Sequence, residues 1–168
     1  MNDTRHKGFS LIELLIVVAI ILIIAAIAIP NLVRAKISAN EASAASSVRS
    51  IATAEAAYGS AYPTQGYAPA LANLGGPAVG CTPDSNTACM IDSVLTSGSK
   101  SGYTFDAIGF GGTPNTSFVT GAAPQVFNQT GVRNFCIITD GVMRSLNPAA
   151  ATPPPATVAA CVGYPNAQ

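Results

Sequence analysis

The sequence predicts an α+β chain: one long N-terminal helix packed on a small antiparallel sheet of about four strands. Three observations carry this. Residues 14–29 are apolar without a break. Ile37, Ala44, Val48, Ile51, Tyr58 and Tyr62 follow at spacings of three, four and seven, which draws one stripe along a helix. From Tyr103 onward, strand-like runs alternate with turn residues, and the last two flank Asp140-Gly141, a strong hairpin signal.

The elements follow in order. From Phe9 to Ile29 a helix would extend about 31 Å, close to the roughly 30 Å of a hydrocarbon core. Continued to Tyr62 it would reach about 80 Å. Its first half has no polar face. Its second half has one, formed by Ser43, Ser46, Ser47 and Arg49, with Glu41 and Glu55 at the edge of the stripe. Pro30 removes one backbone donor and kinks or loosens the turn before it. Pro63 places the helix end at or before Tyr62. Residues 63–102 are broken by many Gly and Pro and read as a connecting loop, with short helices at Pro69 to Leu74 and Ile91 to Leu95. "YTFDAIGF", "SFVTGAAP", "NFCIITD" and "VMRSL" supply the strands. The Pro-rich tail after Leu146 cannot be a central strand. The expected divisions are 1–8, 9–33, 34–62, 63–102 and 103–168.

Charge is sparse. Only 10% of the 168 residues are charged, eight basic against eight acidic. Arg5, Lys7, Arg34, Lys36, Arg49, Lys100, Arg133 and Arg144 form no stripe, which argues against nucleic-acid binding by clustered cations. The four cysteines, Cys81, Cys89, Cys136 and Cys161, lack zinc-type spacing. An even count beyond an apolar segment fits disulfides in an oxidising compartment. Of the three possible connectivities, nearest neighbours are favoured: Cys81 with Cys89, Cys136 with Cys161.

No enzyme signature emerges. The sole histidine, His6, lies in the N-terminal tail, so a histidine triad is excluded from the rest. No G-x-S-x-G occurs, and "GFGGTPNTS" lacks the G-K-[ST] of a phosphate loop. Asp84, Asp92, Asp106 and Asp140 are too dispersed for a calcium site. Tyr58, Tyr62, Tyr67 and Tyr103 read as core or loop anchors. Neither a metal nor a cofactor is expected.

Glu13 is the anomaly. A signal peptide fits poorly, because the apolar core is long and no A-x-A site with a polar flank closes it. A plain anchor accounts for the length but not for a carboxylate within the run. Near an end, its cost is below the roughly 2.5–3.5 kcal/mol of the membrane centre. Cutting after Gly8 would create an amine on Phe9, with Glu13 fifth from that terminus. In low dielectric such a pair attracts far more strongly than in water, and either charge left alone is costly.

"KGFSLIELLIVVAII" resembles the leader and mature start of type IV pilins and of the pseudopilins of type II secretion. The basic leader ends in Gly8, Phe9 follows, and Glu13 sits within the apolar run. The likeness covers about the first 35 residues. It implies that a membrane prepilin peptidase cuts between Gly8 and Phe9 and N-methylates Phe9. It implies that Arg5 and Lys7 hold the leader on the cytoplasmic side, in keeping with the positive-inside rule. Glu13 would neutralise the Phe9 amine of an adjacent copy during assembly, and the helix around Pro30 would stretch or melt in the filament. The segment 136–161 would be an exposed, variable loop. The function implied is a non-enzymatic pilus subunit for adhesion, motility or DNA uptake. Its partners would be copies of itself, the peptidase, the inner-membrane assembly platform and, before assembly, lipid. The precursor would sit in a bacterial inner membrane and the filament outside the cell. The alternatives are a type II secretion pseudopilin, or a membrane-tethered binding domain that never polymerises.

Overall fold

The computed structural model describes residues 9–165. The leader, with Arg5, Lys7 and Gly8, lies outside the described residues, so the expectation for Gly8 has no structural counterpart. The chain divides into two compact units between Ala35 and Lys36. Helix α1, Leu11–Ala61, runs through both and includes Pro30.

In the first unit, α1 has no tertiary core. Its large apolar side chains from Leu11 to Val33 are all exposed. It is the described helix long and apolar enough to cross a membrane.

The second unit is built differently. Ala44, Val48, Ile51 and Tyr58 of α1 are buried, as the spacing of the stripe predicts. They join one core with residues of α2 (Leu71–Leu74), α3 (Ser93–Thr96), β2 (Tyr103–Phe110), β3 (Ser117–Pro124) and β4 (Asn134–Ile138). The remaining strands are β1 (Ser99–Lys100) and β5 (Arg144–Leu146), and helix α4 is Val158–Val162. The sheet is a five-stranded meander in the order β1-β2-β3-β4-β5, antiparallel throughout.

Alternation along β4 decides the two faces. Phe135 and Ile137 point into the helix-covered core. Cys136 and Ile138 point to the other face, where they meet Val119 and Cys161. Pro155, carried by the tail, lies over Gly121. A Cβ on Gly121 would come within 2.6 Å of Pro155 Cδ, so a side chain there would lift the tail off the sheet. Gly66 matters for the same reason and for its backbone, at φ 74°. It bridges to Asn115 and ties the segment after α1 to the β2–β3 hairpin.

Four details depart from the sequence reading. The sheet has five strands rather than about four, because Ser99–Lys100 pairs with Tyr103 and Thr104 across a tight turn. Ser47, placed on the polar face, is buried. Glu41 and Glu55, placed at the edge of the stripe, are 7% and 0% exposed. The Pro-rich tail contains α4, whose first turn is capped by the Thr157 hydroxyl accepting from the Ala160 N–H.

Candidate functional site

The N-terminal segment holds the residues to which the sequence assigns chemistry. Phe9 is 87% exposed. Ser10 precedes the first helical residue, and its carbonyl accepts the first intrahelical bond, from Leu14 N–H at 3.2 Å. Glu13 stands three residues on and reaches back: its Oε2 accepts the Ser10 N–H at 2.9 Å. This is the glutamate half of a capping box, written in the sequence as S-L-I-E. It gives Glu13 a local task that the reading of Glu13 as an assembly charge left out. The S-x-x-E spacing was the signal. The cap uses one carboxylate oxygen; among the described residues, Oε1 has no hydrogen-bond partner and Glu13 makes no ion pair. A helix N-terminus also favours a negative charge at this position.

Beyond Glu13 every residue is apolar as far as Ile29, and the large side chains among them are all exposed. Such a surface is unstable in water and is satisfied by lipid or by other apolar helices.

In the second unit, two buried carboxylates fasten loops to α1. Glu41 Oε1 accepts the N–H groups of Val132 and Arg133, at 3.0 and 3.1 Å. Its Oε2 meets Arg133 Nε at 2.8 Å. Glu55 is wholly buried and accepts the Ala68 N–H at 2.8 Å through Oε2, while Oε1 has no partner. Burial pushes its carboxyl up to about 7, against the lowering effect of the Ala68 N–H. These are fold-holding roles. Sequence spacing missed them because the N–H partners come from loops distant in the chain.

The structure joins Cys81 to Cys89 and Cys136 to Cys161, with Cα separations of 6.1 and 5.9 Å. The four aspartates are separate, and among the described residues no cluster could hold a metal ion. Asp92 caps α3 through the Leu95 N–H and meets Lys100. Asp140 pairs with Arg144 across the β4–β5 hairpin. Asp84 turns the disulfide loop through the N–H groups of Asn86 and Thr87. Tyr58 and Tyr103 donate to the carbonyls of Ser85 and Arg133, which is anchoring rather than catalysis.

Known proteins resemble this chain at the same end. Residues 3–29 match the prokaryotic N-terminal methylation motif. Over 56 residues, 33% of this chain and 26% of the relative, it is 45% identical to the type IV major pilin protein PilA of Myxococcus xanthus. Over 35 residues, 21% of this chain and 27% of the relative, it is 66% identical to the type IV wide pilus major component PilA4 of Thermus thermophilus. The matches span about a quarter of the length of each relative. No solved structure matches.

Proposed function

We propose, from an N-terminal segment that carries the prokaryotic methylation motif and matches type IV pilins, that the chain is a structural subunit of a type IV pilus. The observation that carries the reading is a membrane-length apolar surface, unburied by its own chain, with one carboxylate near its start. Both named relatives are pilus components, which favours a pilus over a secretion pseudopilus. A subunit of this kind works by assembly and needs no active site.

The precursor waits in the inner membrane on residues 9–33. Prepilin peptidase cuts between Gly8 and Phe9 and methylates the new amine. The assembly platform then moves the helix from lipid into a bundle of identical helices. Lipid is as apolar as such a bundle, so burial alone gives little net drive. Register comes from the Phe9 amine of one copy against Glu13 of another. The oxygen that Glu13 leaves free of its cap is available for that contact. Pro30, which cannot donate to the turn before it, gives the helix a place to stretch. Outside the cell the filament serves adhesion, motility or DNA uptake.

Two substitutions separate charge from capping. Glu13→Ala removes both. Glu13→Gln keeps an oxygen for the Ser10 N–H but removes the charge. Electron microscopy of the cell surface is expected to show filaments for the wild type and for neither variant. Wild-type numbers of filaments with Glu13→Gln would reduce Glu13 to a helix cap.

A further inference from the structure

The second unit makes three ion pairs among the described residues: Glu41–Arg133, Asp92–Lys100 and Asp140–Arg144. Glu55 is buried. The charges then left without an opposite partner are Lys36 and Arg49, exposed on α1, and Asp84 and Asp106, which lie off it. Cations are thus on one side of the account and anions on the other, in equal number. In a chain with so few charges, unspent ones of opposite sign are suited to a second copy.

Apolar features accompany one of each. Beside Arg49 lies an open hollow of about 430 Å³, lined by Ala52, Ala56, Tyr67, Phe118 and Ile137 among others. Five residues before Asp84 stands Val79, at 88% the most exposed large apolar side chain from Lys36 onward. The Cys81–Cys89 bridge closes the loop that carries Asp84. Asp84 Oδ1 is used within that loop, at 2.7 Å from the N–H groups of Asn86 and Thr87, and Oδ2 has no partner among the described residues. A loop held in shape this way loses little freedom on docking.

We infer that the Cys81–Cys89 loop of one copy, together with Val79 two residues before it, docks on the Arg49 face of α1 of the next. Val79 enters the hollow and Asp84 meets Arg49. The two surfaces differ, so the contact is heterologous and propagates from copy to copy instead of closing on a pair. The charges fix orientation and exclude wrong registers, while the apolar contact supplies close packing. This rests on the pilus reading above and names a contact within it.

The test uses filaments of the full chain. Arg49→Glu sets two negative charges against each other and is expected to cut filament yield about tenfold. Adding Asp84→Asn keeps the loop acceptor, removes the repulsion and is expected to restore much of that loss. Carbodiimide treatment of Arg49→Lys filaments should join position 49 to Asp84 of a neighbouring copy, as read by mass spectrometry, and Asp84→Asn should abolish that link. Each variant precursor, extracted in detergent, should retain both disulfides, which controls for folding. If Asp84→Asn deepens or ignores the Arg49→Glu defect, or no cross-link joins the two positions in abundant filaments, the contact is wrong and the pilus reading stands. If the wild type makes no filament under any condition, the pilus reading itself fails.

Discussion

Between Leu11 and Val33 the large apolar side chains of α1 are 45–80% exposed, whereas between Ala44 and Tyr58 the same helix buries Val48 and Ile51 completely. One stretch is apolar on every side from Leu14 to Ile29 and buries none of its large side chains. The other is apolar along a single stripe, with two carboxylates holding loops against it. The difference teaches that a helix can be stabilised by two solvents in succession. The first stretch suits an apolar surrounding outside its own fold. The second is written for its own sheet. Alternation of residue types decides which, because a one-sided stripe specifies one partner and an all-round surface specifies an apolar surrounding.

The contrast is broken most sharply by removing bulk from each stretch. Ile51→Ala is expected to cost the folded second unit about 4 kcal/mol. Ile20→Ala, deep in the exposed stretch, is expected to leave that stability unchanged. Chemical denaturation of the full chain in detergent, followed by the ultraviolet signal of the tyrosines, checks both. Equal losses would mean that the first stretch is part of the same core.

Next in size is the tail. Replacing Cys136 and Cys161 with Ser is expected to remove about 3.5 kcal/mol by the loop-closure estimate, and to free the tail from Gly121 while the β2–β3 pairing persists. Hydrogen exchange resolves the two regions.

A third test uses pH. The Glu55 carboxyl is held at about 7 in the folded state against 4.5 for an unburied group. The folded state therefore keeps a proton that the unfolded state releases, and stability falls as pH rises from 4.5 to 7, then levels. The drop is on the order of 3 kcal/mol. Glu55→Gln, which still offers a carbonyl to the Ala68 N–H, should flatten this slope and be the more stable form at pH 8. A wild type equally stable at pH 5 and pH 8 would contradict the assignment.

Smallest is Glu41→Ala. It leaves two backbone N–H groups and a half-exposed guanidinium without their acceptor, a loss of about 2 kcal/mol. Thermal unfolding of the two chains side by side measures it.

Much of the architecture was legible, and the reasons are local. The stripe at positions 44, 48, 51 and 58 needs only helical periodicity. The β4–β5 hairpin is announced by Asp140-Gly141, with Gly141 at φ 71°. What stayed hidden depends on distant segments. Glu41 and Glu55 look like edge residues until loops at 132–133 and 68 bring N–H groups to them. Strand β1 is two residues long, too short for any alternation to show. Helix α4 is masked by the prolines before it. At the N-terminus the reverse happened. S-x-x-E, from Ser10 to Glu13, is a local capping pattern, and the same carboxylate also stands out as a charge in an apolar run.

The measurement closest to the central claim is the mass of the N-terminal peptide of chains taken from surface filaments. A peptide beginning at Phe9 and carrying one added methyl group is the expected result. Filaments whose subunits still begin at Met1, with Gly8 joined to Phe9, would contradict an account in which proteolysis creates the charge that Glu13 meets.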